Sequence, residues 1–222
     1  MKIKLNSYFL SLLALCSFFL TTCINAPDPP QDYANVEGLV TENGSPVVDA
    51  EIHIKSHFEP GGFVEGEVDE VEIGFTATAS GVYALELYRL GSLQPFVTVF
   101  EDTLETGEQL LPIPDSLLSN GVYVYQIVTP LDQTAENNFL INKPDSALAS
   151  TQPLTRTNSE GEFEISADYL AIESLFSRGQ NEQFEITDSL QIIVVRDEEI
   201  VAKEFLQVGV EGEGTFVEIT ID

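Results

Sequence analysis

Alternation of apolar and polar residues is the feature that most limits what this chain can fold into. From Val48 to Lys55 every second residue is apolar, and each residue between them is polar or charged. A period of two places successive side chains on opposite faces, so the pattern predicts a half-buried β-strand. Gly44-Ser45-Pro46 precedes it as a turn signal, and before that turn Val36, Gly38 and Val40 fall on one face of a further predicted strand.

Short segments of this kind recur along the chain with turn residues between them. The regular spacing is typical of β-sandwiches and predicts an all-β fold. The further predicted strands are Val71–Ala77, Gly81–Tyr88, Phe96–Glu101, Gln109–Ile113, Val122–Val128, Asn138–Ile141, Glu162–Ile165, Leu190–Val195, Ile200–Gln207 and Thr215–Ile221.

One stretch has helical rather than strand spacing. Tyr169, Ile172 and Phe176 are three and four positions apart, Ser166 is suited to cap the N-terminus, and Gly179 is suited to end the helix. We therefore expect one short helix over residues 168–176.

The first 22 residues have the composition of an export signal. Lys2 and Lys4 precede Tyr8–Leu20, an apolar run broken only by two serines. A membrane-spanning helix needs about 20 apolar residues, so the run is too short to span and fits a secretory signal. We predict that residues 1–22 are a signal peptide.

The end of this signal predicts membrane anchoring. Leu20-Thr21-Thr22-Cys23 resembles the lipobox of bacterial lipoproteins, although Thr22 stands where that motif has Gly, Ala or Ser. The resemblance implies that Cys23 becomes the N-terminus and carries diacylglycerol on its sulfur, facing the periplasm or the cell surface from the outer membrane of a Gram-negative bacterium. Residues 23–34, rich in Pro and Asp, would form the tether. The alternative is an ordinary signal peptide cleaved after Ala26.

The charge narrows the choice of partners. The formal net charge is −28, and loss of Lys2 and Lys4 with the signal would leave seven basic residues against 37 acidic ones. Nucleic acid and anionic lipid surfaces attract basic proteins, so we expect no nucleic-acid partner and membrane attachment only through the acyl chains on Cys23. The acidity fits solubility in a salty medium; a diffuse store of divalent cations is the alternative.

The chain after the predicted tether resembles two different families in two different parts. Gly38-Leu39-Val40, Gly44-Ser45-Pro46 and Ala50–Ile54, followed much later by Thr155–Ile165, resemble the carboxypeptidase regulatory-like family. This resemblance implies a prealbumin-like β-sandwich without zinc ligands or peptidase activity. We assign residues 35–58 plus 150–222 to it, with Phe163 and Ile165 expected to supply the strand partner of Ala50–Ile54.

The intervening segment has its own pattern. Ser80–Tyr88, Leu118–Ile127 and Asn138–Ile141 resemble the Ig-like domains of flagellar hook-capping proteins and of type IX secretion sorting domains. We therefore expect residues 69–145 to be an Ig-like sandwich inserted in the first, with connectors at Glu65–Glu72 and Pro144–Pro153. One continuous sandwich, or two in series, are the alternatives.

The sequence indicates no catalytic or metal site. His53 and His57, the only histidines, would lie about 13 Å apart on a strand, too far to share a zinc ion, so we expect a solvent-facing pair. No calcium-loop, nucleophile or phosphate-binding motif occurs, and we expect no cofactor. Some tyrosines could line a sugar-binding platform, although alternation places at least some of them in the core. These candidates are Tyr83, Tyr88, Tyr123 and Tyr125.

These observations favour a non-catalytic surface module that binds a protein or glycan, or acts as a spacer. The alternatives are a cation-dependent adhesin, an accessory protein of a glycan- or peptide-processing hydrolase, and an enzyme of unfamiliar type.

Overall fold

The computed structural model describes residues 32–63, 71–89, 94–113, 117–131, 134–178 and 182–221. The predicted signal peptide, Cys23 and most of the predicted tether lie outside these residues. Asp32–Asp222 forms one compact unit. Within the part that the structure describes, no helix is both long and apolar enough to cross a bilayer.

The described residues contain fifteen strands, numbered in chain order, and one short α-helix, α1 (Asp145–Leu148). The strands are β1 (Val36–Glu42), β2 (Ser45–Pro46), β3 (Glu51–Glu59), β4 (Val71–Ala77), β5 (Gly81–Arg89), β6 (Val97–Leu104), β7 (Gly107–Ile113), β8 (Gly121–Val128), β9 (Thr134–Ile141), β10 (Thr155–Arg156), β11 (Glu162–Ile165), β12 (Leu175–Arg178), β13 (Glu182–Arg196), β14 (Glu199–Gln207) and β15 (Thr215–Ile221).

The first sandwich is built from the two ends of the described chain. One sheet has the order β11-β1-β15 with β2 at the edge of β1, and the other has the order β10-β3-β13-β12 with β14 also paired to β13. Their inner faces share one apolar core, because alternate residues of each strand point inward. Val40 and Ile219 lie on one side of that core, and Ile54 and Ile192 lie on the other.

The second sandwich uses only strands from the middle of the chain. Sheet β4-β7 packs against sheet β6-β5-β8-β9, and their shared core includes Ile73, Leu85, Ile113 and Ile127. A smaller cluster joins residues of both regions, with Phe58 from β3 beside Val122 from β8. Independent folding of residues 69–145 as an inserted domain stays a prediction.

The all-β fold is confirmed, and each strand predicted from alternation is present with shifted ends at most. The helix predicted over 168–176 is wrong. Only a 3-10 turn forms at Ala167–Tyr169, because Ala171 and Glu173 adopt left-handed backbone angles (φ 51° and 66°) that an α-helix cannot contain. Leu175–Arg178 instead pairs with β13 as a strand.

The predicted partner of β3 is also wrong. Phe163 and Ile165 pair with β1, opposite Gly38 and Val36, whereas β3 is flanked by β10 and β13. Apolar parity identifies which face is buried but not which strand is the neighbour, and both partners place their apolar side chains in the same core.

The ring of Phe163 explains why position 38 is a glycine. A Cβ atom at this position would lie 2.2 Å from Cζ of Phe163, so the ring occupies the space that a side chain would need. The glycine strand and the Gly-x-Phe segment, far apart in sequence, therefore meet as direct neighbours on β1 and β11. The Asn158 side chain closes the turn before β11 by accepting hydrogen bonds from the backbone N–H groups of Glu160 and Glu162.

The folded body begins before the predicted end of the tether. Tyr33 pairs with Val210, and the carbonyl of Asp32 accepts a hydrogen bond from the N–H of Glu211 at 2.7 Å. Residues 32–34 are thus fixed against the loop before β15.

Candidate functional site

The predicted lipidation site, Cys23, lies outside the described residues, as do residues 65–70 of the predicted acidic connector Glu65–Glu72. The predicted histidines lie on β3, and the predicted tyrosines lie on β5 and β8 of the second sandwich.

The two histidines differ in their surroundings, and the expectation of a solvent-facing pair is wrong. His57 is half-buried, with Nδ1 3.0 Å from the hydroxyl of Thr187. His53 is wholly buried, and neither of its ring nitrogens has a hydrogen-bond partner. The nearest carboxylate oxygen, from Glu51, is 3.8 Å from Nε2, which is too long for a hydrogen bond.

The tyrosines belong mainly to the core of the second sandwich. Tyr83 and Tyr123 are buried, and their hydroxyls donate hydrogen bonds to the carbonyls of Ala79 and Ser119 at 2.7 and 3.0 Å. Burial raises the pKa of Tyr123. Tyr88 and Tyr125 are half-buried on the same strands. Tyr83, Tyr123 and Tyr125 therefore pack in the core, whereas Tyr88 lies outside that cluster and donates its hydroxyl to Glu86 at 2.7 Å.

A segment that covers the outer face of β3 was predicted only as a connector. We call residues 143–151, which include α1, the strap. Leu148 is fully buried against Ile193 and Val195 of β13, on the face away from the main core. The carboxylate of Asp145 binds the ammonium groups of Lys55 on β3 and Lys203 on β14.

The start of the strap is tied to both sandwiches. The N–H of Lys143 donates to Oδ1 of Asn120 at 2.7 Å, while Nδ2 of Asn120 donates to the carbonyl of Ile54 at 2.9 Å. Nζ of Lys143 is buried and donates to the carbonyl of Leu118 at 3.0 Å and to the hydroxyl of Thr151 at 3.3 Å. These bonds lie at the junction of β3, β8 and the strap.

The basic side chains that the structure describes are engaged within the fold. Arg196 forms two hydrogen bonds with Glu42, at 2.8 and 3.1 Å, which lower the pKa of that carboxyl. Arg156 pairs with Glu51, and Arg89 lies over the ring of Tyr169 at 4.8 Å. Lys55, Lys203 and Lys143 have the contacts given above. Few positive charges are therefore left to compensate the exposed carboxylates.

The outer face of β11, β1 and β15 carries four glutamates, and we call it the acidic face. Its residues are Glu162, Glu164, Glu37, Leu39, Phe216 and Glu218. Glu37 lies directly opposite Glu164, a like-charge arrangement that costs stability in a sheet. Among the described residues none of its four carboxylates is paired with a basic side chain; Asn35 and Asn158 donate neutral amide hydrogen bonds to two of them.

A groove of about 610 Å³ opens at one end of the acidic face. Glu37, Glu211 and Glu213 bring carboxylates to it, and Phe216, whose exposed fraction is 65%, supplies an aromatic surface. Tyr33 also lines the groove and donates its hydroxyl to Glu173 at 3.0 Å; burial and that bond raise the pKa of Tyr33 to about 12. The groove therefore combines negative charge with an apolar surface, and Tyr33 and Ala34, the last residues of the predicted tether, line it.

Across the described ranges, no group of three or more His, Cys, Asp and Glu side chains is arranged to hold a metal ion. No protein-family model matches the chain, and comparison with curated proteins and with solved structures found no similar protein.

Sequence reasoning missed the acidic face as a surface, although its signal was present. Glu162, Glu164 and Glu37 alternate with the apolar residues of their strands, so each was already assigned to a solvent side. The missing step was the pairing of β1 with β11 and β15, which brings these carboxylates together.

Proposed function

We propose that this chain is a non-catalytic, lipid-anchored module of the outer membrane that binds a positively charged protein partner on the acidic face. The anchor in this proposal is diacylglycerol on Cys23, attached through the tether. The binding role depends on one observation: four strand-borne carboxylates and a groove with an exposed aromatic ring share a surface without compensating cations.

The physical argument is electrostatic complementarity. A basic partner relieves the repulsion between Glu37 and Glu164 and accelerates association, whereas an anionic partner is repelled. Phe216 can cover the aliphatic part of a lysine or arginine side chain, or stack on a guanidinium group. The groove volume lies within the range of about 300–1,000 Å³ that is usual for ligand sites.

The test uses the full-length lipoprotein in a neutral detergent and a fluorescent peptide in which arginine alternates with alanine. The test variant carries Glu37→Gln and Glu218→Gln. The control variant carries Glu101→Gln and Glu199→Gln, which remove the same charge from exposed positions on β6 and β14. Exposed ion pairs contribute about 0.2–1 kcal/mol each, so Kd should rise between about twofold and about thirtyfold in the test variant.

The control variant should change Kd by less than about twofold at physiological salt, because screening acts over about 8 Å. Equal weakening in both variants would show attraction to the net charge alone and would reject this face as the site. Calcium is the probe for the alternative of a cation-dependent adhesin. If calcium binds saturably and the binding is lost when Glu37 and Glu218 are replaced, the adhesin is favoured.

A further inference from the structure

His53 is a buried side chain for which the fold supplies no hydrogen bond. It lies on β3 with no exposed surface, and both ring nitrogens lack a partner. Its register partner on β13 is Ile193, the residue against which Leu148 of the strap packs. The strap therefore packs directly beside this imidazole on the same face of the sheet. A buried polar group without partners is uncommon enough to need an explanation.

The charges around His53 act against its protonation. Burial lowers its pKa, and the positive charges of Lys143 and Arg156 lower it further, while Glu51 opposes them. The charged groups on this side are Glu51 and Lys55 of β3, Lys143 and Asp145 of the strap, Arg156 of β10 and Lys203 of β14. On β13, the residues opposite Lys55, His53 and Glu51 are Gln191, Ile193 and Val195, which carry no charge.

We propose that the strap is a proton-sensitive latch in which His53 is the sensor, so that acid favours release of the strap from the outer face of β3. The strap can lift while β3 keeps its ladder, since β13 pairs along β3 from Glu51 to Glu59 and β10 also pairs with it at Glu51 and Ile52. Lifting brings water to the imidazole, which then binds one proton as an ordinary exposed histidine does.

The direction of the pH effect on the strap follows from the linkage between proton binding and strap opening. Above pH of about 6.5, His53 is neutral whether the strap is closed or open, and the closed form has its full stability. As pH falls below that value, the open form binds a proton that the closed form resists, so the open population grows by up to about tenfold per pH unit. Asp145 does not drive the change: burial would raise its pKa, but hydrogen bonds from Lys203 and Lys55 outweigh burial and keep it below the ordinary value.

The test is hydrogen exchange of the strap amides in the full-length protein between pH 7.5 and 5.5, expressed as protection factors to remove the intrinsic effect of pH. The N–H of Lys143, bonded to Asn120, is the central reporter. Its protection should fall by up to about tenfold per pH unit below 6.5. His53→Leu should abolish this dependence. The matched control His57→Asn, which changes the half-buried histidine near Thr187, should retain it.

A second measurement on the unaltered protein covers the case in which His53→Leu does not fold. With only two histidines in the sequence, proton NMR separates the imidazole signals of His53 from those of His57. His53 should remain neutral to a lower pH than a free imidazole does, and its signals should broaden as the strap opens. Titration of His53 like a freely exposed imidazole, or an equal loss of strap protection in His53→Leu, would overturn the latch.

Discussion

Gly38→Ala tests the close contact between β1 and β11. The new Cβ would lie 2.2, 2.4 and 3.0 Å from three ring atoms of Phe163, whereas non-bonded carbon atoms pack best at about 3.5–4.0 Å. The ring would have to move by roughly 1 Å in a filled core, and overpacking of this kind costs about 1–3 kcal/mol. Replacing a glycine within a strand by alanine stabilises the folded state by about 0.5–1 kcal/mol. We therefore expect a net loss of about 1–2 kcal/mol.

The assay is urea unfolding, supported by thermal melting, in which Tm should fall by about 2–8 °C for a unit of this size. Gly74→Ala on β4 is the control, because its Cβ would meet only Cδ1 of Leu110 at the ordinary distance of 3.8 Å. That variant should be neutral or slightly stabilising.

A double-mutant cycle identifies the cause. Phe163→Ala alone should cost about 3–5 kcal/mol through the cavity that it leaves. Once the ring is absent, alanine at Gly38 no longer meets it, so the double variant should be more stable than the sum of the single effects predicts by about 1–3 kcal/mol. Additive effects, or a Gly38→Ala protein as stable as the control, would refute the contact as the reason for this glycine.

Two further predictions concern the anchor and the domain organisation. Cys23→Ser should move the protein from membranes and detergent phases into soluble fractions; continued partitioning with membranes would contradict lipid attachment. Replacing residues 64–142 by a flexible Gly/Ser linker should leave the first sandwich with a cooperative thermal transition, because loop-closure entropy changes by only about 0.6 kcal/mol per doubling of length. Deleting 60–150 should give a less stable product, since it also removes the strap and uncovers Ile193 and Val195; loss of cooperativity in the shorter deletion would indicate interdependent sheets.

Local alternation predicted the strands because it reports directly on one buried face. It identified Val71–Ala77, Glu162–Ile165 and Thr215–Ile221 with the ends that the structure has. The helix over 168–176 failed because the left-handed angle at Ala171 leaves no trace in apolar spacing. Alternation also assigned His53 correctly to the face opposite Ile52 and Ile54.

Local sequence pattern could not predict that the strap covers the outer face of β3. The strap reaches β3 from about 90 positions away in sequence, through the pair Lys55 and Asp145. Its composition, with Pro144 at the start, is that of a connector, and no period marks Leu148 as buried. Burial of His53 and the assembly of the acidic face both depend on such long-range pairing, so neither could be inferred from one segment at a time.

The distribution of basic residues has a consequence for survival outside a cell. Proteases that cleave after lysine or arginine need an extended, accessible stretch of chain around the bond. Apart from Lys2 and Lys4, the basic residues lie within strands, except Lys143, which is buried at the start of the strap. No loop that the structure describes presents an exposed lysine or arginine to such an enzyme. At the basic residues within the described strands, cleavage by this class of protease therefore requires a sheet to open, which links cleavage there to the unfolding equilibrium.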